Sequence, residues 1–318
     1  MRSESSSRRV GVLGTGVIGR GRLEAWQRLG VPIAGLYAHH RERGEAAAKA
    51  CGCQVFDSMA AVLEKSELAD ICLPTFLHRQ AVEQAVLARC DIICEKPLAL
   101  ELNDVEVIFD ECERANVRLF VAMVVRFFPA YRRVRDAVQA GTLGDVREVT
   151  LKRVGSPPPP MGSWFLDDDL SGGMLTDLLV HDVDYATWLA GDVATVQAAV
   201  EGSGQLQYAH VELEHTSGAV SHIEGGWVGS GPPLETSGNV VYAGGTLRIT
   251  TENPYPPDQD PYVAQLRHFH GAISSGASFL VTRHEVTRVA RIMAIARESA
   301  RNRCVMPVWS GDRSGPQI

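Results

Sequence analysis

Arg9-Val-Gly-Val-Leu-Gly-Thr-Gly-Val-Ile-Gly-Arg20 is the stretch whose reading decides the fold. Val10 to Leu13 is a short apolar run, and Gly14-x-Gly16-x-x-Gly19 follows it directly. Ile18, Leu23, Trp26 and Leu29 then recur at helical spacing up to Gly30. A strand, a glycine turn and a helix in that order open a dinucleotide site. Gly14 permits the tight turn, Gly16 lets backbone approach a pyrophosphate, and Gly19 lets the helix pack closely. Thr15, Val17 and Ile18 complete the loop, whose helix N-terminus offers N–H groups and positive dipole to phosphate.

Moving outward, the alternation continues. Val31 to Ala38, Ala69 to Leu73, Asp91 to Cys94 and Arg118 to Val125 read as strands; Arg41 to Ala50, Thr75 to Arg89 and Asn103 to Ala115 read as helices. Such alternation implies right-handed crossovers and a doubly wound parallel sheet, so residues 1–124 form an N-terminal Rossmann domain. After Val125 the texture changes. Arg147 to Arg153, Ala209 to His215, Val220 to Trp227 and Val240 to Thr250 look like longer strands, with a hairpin at Gly244-Gly245. Helices are expected over Ser171 to Ala190 and Tyr262 to Ser274. Residues 125–318 therefore read as an α+β domain with a large, open, mostly antiparallel sheet covered by helices on one face. Two domains also suit 318 residues at roughly 150 per domain.

Composition narrows the function. With 31 basic and 38 acidic side chains the net charge is −7, the wrong sign for a nonspecific nucleic-acid binder. No apolar run approaches the roughly 18 residues of a membrane span, and Met1 to Arg9 reads as a frayed polar tail. The seven cysteines are odd in number and mostly sit in apolar segments, which suits reduced thiols and a cytoplasmic location. Cys51-Gly-Cys53 has no second pair at metal-ligand spacing and is read as structural. His268 and His270 lie two apart, on different faces of a helix, and do not form a metal pair. Pro157 to Pro160 reads as a rigid connector, with Trp164 beyond it able either to line a cleft or simply to pack.

Three clusters carry chemistry. An NAD site usually places an acid about 20 residues past the glycines, but Ala25 to Arg41 contains none. Tyr37-Ala-His-His-Arg-Glu-Arg43 stands there instead, and Ala38, His39 and Arg43 can face a 2′-phosphate, so NADP(H) is favoured over NAD(H), with NAD left open. Cys94-Glu-Lys-Pro-Leu98 ends a parallel strand, where open α/β sheets place ligands. Lys96 could hydrogen-bond a substrate hydroxyl there, with Glu95 positioning Lys96 or the nicotinamide. Lastly, Asp177 and His181 share a face of the helix expected after Ser171, its candidate N-cap. Asp184 continues the stripe, and an acid at i−4 can orient the imidazole for acid–base work.

Together these pieces resemble the glucose-fructose oxidoreductase, inositol dehydrogenase and rhizopine-catabolism (Gfo/Idh/MocA) family over nearly the whole chain. The marks are Gly14-Thr-Gly-Val-Ile-Gly19, Leu73-Pro-Thr75 with His78, Glu95-Lys-Pro97, Arg126-Phe127 with Pro129, Gly141-Thr-Leu-Gly144, and Gly172-Gly173 with Asp177, His181 and Asp184. The resemblance implies a substrate at the junction of the two domains and catalytic positions at Lys96, Asp177 and His181. It implies that Leu73, Pro74, Thr75, His78, Glu95 and Lys96 border the nicotinamide and its ribose, and that Ala38 to Arg43 meet the adenine ribose. A homodimer or homotetramer through the C-terminal sheet is a further implication. Ala38 stands where NAD-using members commonly have Asp. Leu179 stands where many relatives have Gly, and is expected to narrow the substrate pocket.

The resulting expectation is an NAD(P)-dependent oxidoreductase that interconverts a secondary alcohol and a ketone on a polyol, sugar or cyclitol. A trans-dihydrodiol or imine reductase on the same frame, or a noncatalytic NADP-sensing regulator, are the rival readings.

Overall fold

The computed structural model describes residues 8–157, 163–229, 234–250 and 255–308. Its first sheet contains β1 (Val10–Leu13), β2 (Ile33–Tyr37), β3 (Val55–Phe56), β4 (Leu68–Ile71), β5 (Asp91–Cys94) and β6 (Leu119–Val121) in the order β3-β2-β1-β4-β5-β6. Every pairing is parallel. The crossovers are α1 (Val17–Arg28), α2 (Arg41–Cys51), α3 (Met59–Leu63), α4 (His78–Leu87) and α5 (Leu102–Arg114). Strands β1 and β4 are buried throughout, as a sheet covered on both faces requires. Strand order reverses between β1 and β4, which opens a crevice at their C-terminal ends. The helix expected from Thr75 opens with a 3-10 turn, Thr75–Leu77, before α4 begins.

A 3-10 turn at Val124–Phe127 and α6 (Pro129–Ala140) lead into the second sheet. Its strands are β7 (Val146–Gly155), β8 (Val193–Ser203), β9 (Leu206–His215), β10 (Val220–Val228), β11 (Glu235–Tyr242), β12 (Gly245–Thr250) and β13 (Met306–Pro307), in the order β12-β11-β7-β10-β9-β8-β13. Only the β7–β10 pairing is parallel; the other five are antiparallel. Tyr242 pairs with Gly245, so the expected hairpin turns on Ala243-Gly244. Burial alternates along β9, with Gln207, Ala209, Val211, Leu213 and His215 facing inward. Helices α8 (Gly173–Ala190) and α10 (Arg283–Asn302) cover that inner face.

Three differences from the sequence expectation matter. The long helix starts at Gly173, because Ser171 ends a separate turn, α7 (Asp168–Ser171), and Gly172 takes φ +78° between them. The Ser171 hydroxyl still accepts the Gly173 N–H at 3.0 Å, so it caps from one residue further out. Strand β8 and helix α10 were not anticipated; α10 opens with a capping box between Thr282 and Glu285. Finally, α9 (Pro261–Ser275) leaves the second sheet and packs against α1. Phe269, fully buried, meets Trp26 at 6.4 Å and Phe120 at 6.1 Å between ring centroids. Burying an aromatic ring of this size stabilises by about 1.5–3 kcal/mol, enough to anchor the return. Of the proline connector only Pro157 falls among the described residues; 158–160 lie outside them.

Candidate active site

The glycine turn is shaped by what a Cβ would meet. At Gly14, with φ +105°, it would lie 2.6 Å from the Cys72 carbonyl oxygen; at Gly19 it would lie 2.1 Å from that of Gly14. At Gly16 it would meet nothing within 4 Å, so this position faces open space. Gly16 is also the N-cap of α1 and offers no side-chain cap, and no acid occupies the first turn. The first N–H groups of α1 therefore have no partner among the described residues, and a pyrophosphate fits them. Thr15 is buried and Val17 exposed on either side of that opening.

At the end of β2, Ala38 is buried while His39 and His40 are exposed, their rings meeting edge to face at 5.0 Å. Arg41 is committed to Glu45 and Asp57. Arg43 is exposed and has no hydrogen-bond or ion-pair partner among the described residues, so it is the cation of this cluster left for a ligand.

The loops after β4 and β5 are held together from below. Leu73 and Thr75 are buried, and the fully buried His78 ring sets Nε2 2.9 Å from the Leu73 carbonyl and Nδ1 2.9 Å from that of Pro97. Burial pushes its pKa down while the two carbonyls oppose the shift. Both ring nitrogens are occupied by backbone. His78 thus ties the loop after β4 to the loop after β5.

Lys96 reaches across the seam between the sheets. Its Nζ donates to the Asp177 carbonyl oxygen at 2.7 Å and to Asp177 Oδ1 at 3.1 Å, with both side chains only 15% exposed. No hydrogen bond joins Asp177 to His181 among the described residues, which corrects the expected Asp177–His181 pair. Their shared helix face allowed a contact, but the ammonium offers the carboxylate a charge-assisted partner and takes it. His181 Nδ1 is buried without a hydrogen-bond partner among the described residues. Burial, then the charges of Lys96 and Arg153, hold the His181 pKa well below that of ordinary imidazole. The imidazole is neutral at pH 7 and able to accept a proton.

Several other expectations resolve into packing. Leu179 is fully buried against β10, where a Cβ on Gly225 would lie 2.3 Å from its Cδ2. It faces the sheet, so the expected narrowing of a pocket is corrected. Two positions beyond Asp177 on a helix is nearly the opposite face. Asp184, seven residues beyond Asp177 on the same side of α8, pairs with Arg126 at 2.6 and 2.8 Å. His268 Nε2 accepts the Leu280 N–H at 2.8 Å while its ring packs on Phe120 and Phe127. Cys53 is half-buried, and burial pushes its thiol up to about 11. Trp164 meets Phe76 at 6.1 Å, joining the two halves of the molecule beside Thr75.

Sequence reasoning missed two residues beside the site. Arg153, on the inner face of β7, grips Asp182 at 2.6 and 3.0 Å and lends positive charge to His181. The inward parity of β7 was the available signal. Arg22, on α1, pairs with Glu95 at 2.5 Å, and nothing local in the sequence announces it.

Residues 8–123 match the model of the oxidoreductase family with an NAD-binding Rossmann fold, and residues 131–248 match the C-terminal domain model of the same GFO/IDH/MocA family. The chain belongs to the Gfo/Idh/MocA oxidoreductase family. Among relatives, myo-inositol 2-dehydrogenase of Thermotoga maritima is 29% identical over 163 residues, 48% of each chain. D-xylose 1-dehydrogenase (NADP(+)) 2 of Haloferax volcanii is 28% identical over 317 residues, 91% of this chain and 96% of that one. The chain thus spans about half the length of the first relative and nearly all of the second. Levoglucosan dehydrogenase, solved with NADH and levoglucosan, superposes with a TM-score of 0.84 over 95% of this chain and 99% of that one at 19% identity, which shows the shared fold.

Proposed function

We propose that this Gfo/Idh/MocA member is an NADP(H)-preferring oxidoreductase that interconverts a secondary alcohol and a ketone on a sugar or cyclitol. The observation that carries the reading is that Lys96, which follows the C-terminal end of β5 in the Rossmann sheet, is held by Asp177 one turn of α8 before His181, whose pKa burial pushes down. Names of the relatives, a cyclitol dehydrogenase and a pentose dehydrogenase, support the substrate class.

With its pyrophosphate held at the glycine turn, a nicotinamide cofactor would supply or accept the hydride. Lys96 donates a hydrogen bond to the substrate oxygen and stabilises negative charge that builds there. His181 takes the hydroxyl proton during oxidation and returns it during reduction. Asp177 keeps Lys96 Nζ aimed across the seam.

The free guanidinium of Arg43, the exposed imidazole of His39 and the absence of an acid at Ala38 support NADP(H). In this reading the seam lies at residues 124–125. A homodimer or homotetramer forms through the outer face of the second sheet, where Leu206 is 64% exposed opposite Val228 and beside Tyr208. The free, largely apolar cysteines suit a reducing cytoplasm.

Titration with NADPH and NADH, followed by a sugar and cyclitol turnover screen, tests the reading. NADPH should bind more tightly and at least one polyol should be turned over. Tighter NADH binding would reverse the cofactor assignment. Absence of turnover across the panel, together with cofactor-dependent binding to another protein, would favour a noncatalytic regulator.

A further inference from the structure

Arg22 has no exposed surface, a rare place for a guanidinium. It lies on α1, the helix whose N-terminus forms the glycine turn, and its Nη2 sits 2.5 Å from Glu95 Oε1. The other oxygen of that carboxylate accepts the Lys96 backbone N–H at 3.3 Å. Glu95 therefore stands with one oxygen on the cofactor helix and the other on the residue that enters the site. Asp70, also without exposed surface, lies 3.7 Å from Arg22 Nη1 and accepts the Trp26 indole N–H at 2.7 Å. One cation thus serves two buried carboxylates, and Arg22 Nε and Nη1 have no hydrogen-bond partner among the described residues.

A group of this kind is poorly suited to being a static brace. A buried cation with unused donors does not lock one arrangement as a saturated network does. It does, however, tie two parts together by charge: α1, whose N-terminus forms the glycine turn, and the Glu95–Lys96 turn, from which the lysine extends.

We propose that Arg22 is a positioning residue for Lys96: it relays the seating of α1 on the cofactor phosphates, through Glu95, to the backbone from which Lys96 extends. The proposal rests on the oxidoreductase reading above but has a readout that does not need turnover. The chain contains only four lysines, Lys49, Lys65, Lys96 and Lys152, so acetic anhydride labelling at Lys96 is resolved by mass spectrometry with the other three as internal references.

In the wild type, NADPH should change the Lys96 labelling rate relative to those references. Arg22→Lys keeps the charge but, as a point donor on a flexible stem, cannot hold the same fork. It should fold, bind NADPH as the wild type does, lose the NADPH response at Lys96, and lower kcat about 10- to 100-fold, the scale of a small misplacement of a reacting group. Glu95→Asp, which shortens the relay, should do the same and decides the matter if Arg22→Lys does not fold. Failure of the wild-type Lys96 to respond to NADPH, or a variant that keeps both the response and the wild-type kcat, overturns the proposal. A wild type that responds to NADPH yet turns over no polyol would instead count against the oxidoreductase reading and leave the labelling comparison to judge Arg22.

Discussion

Two buried arginines, each serving two acids, divide the molecule between them. In the second half, Arg126 has no exposed surface and is saturated. It gives Asp184 a two-pronged grip at 2.6 and 2.8 Å, reaches Glu285 at 2.8 Å and the Leu280 carbonyl at 3.2 Å, and stacks over Trp188. In the first half, Arg22 makes one hydrogen bond among the described residues, its Nη1 meeting Asp70 only as an ion pair at 3.7 Å and its Nε meeting no acceptor. The saturated group clamps the turn at Val124–Phe127 to α8 and α10. The unsaturated one lies under the loop that carries Lys96. Satisfaction of hydrogen bonds thus separates the part that holds the fold from the part that has to respond to a ligand.

The largest expected effect lies at the end of the responsive side. Lys96→Ala should lower kcat about a thousandfold, within the range ascribed to a positioned proton donor or acceptor, while NADPH titration stays close to wild type. A variant with near-normal kcat would remove Lys96 from the chemistry. On the clamped side the effect should appear as stability alone. Arg126→Met strands Asp184 and Glu285, and urea unfolding should show a loss of about 3–5 kcal/mol, with kcat per folded molecule retained. A variant that unfolds at the wild-type midpoint but is inactive would invert the contrast.

Acid should weaken both halves, for a reason whose sign is fixed. His78 and His181 near the site and His215 in the second sheet all have pKa values pushed below the ordinary value by burial. Unfolded chain takes up protons near pH 6.5 that these rings refuse while folded. Stability is therefore complete above about pH 6.5 and falls as the pH drops, each ring costing up to about 1.4 kcal/mol per pH unit. His215→Asn should flatten that slope without altering turnover, whereas His181→Asn should flatten it and remove the base. An unchanged slope in urea melts between pH 7 and pH 5 would show that neither ring is held neutral. The same depression places the acid limb of the oxidation rate below pH 6.5 in the wild type.

The smallest effect is expected at the rim. Arg43→Ala should cut the preference for NADPH over NADH about tenfold, worth roughly 1.4 kcal/mol, by removing one exposed charge-assisted contact. Equal preference in wild type and variant would shift the discrimination to His39.

Much of the first half was legible because its signals are local. Val10–Leu13 and the glycines behind it state strand, turn and helix within twenty residues. The second half hides more. Strand β8 buries only Val193, Val196 and Ala198, with an irregularity between the first two that breaks the period of two, before running into exposed residues. Helix α10 did carry a signal, Thr282-x-x-Glu285 ahead of Val286, Val289 and Met293, that a search for capping boxes would have found. The site itself depends on distance in sequence. Asp177 was readable as a partner for His181, four residues on, but its actual partner is Lys96, 81 residues earlier. Arg22 looked like any polar position on a helix, since nothing within a turn of it reveals that Glu95 waits 73 residues away.

The return of α9 to α1 bears on how the protein is made. The first sheet has all its strands once Val121 has left the ribosome, yet Trp26 and Phe120 lack their cover until Phe269 and Phe279 have been synthesised. Through that interval the nascent chain carries a finished set of hydrogen-bonded strands with an unfinished aromatic face. The same interval defines where a fragment ending near residue 124 would fail: it would contain every cofactor motif and still present those rings to water.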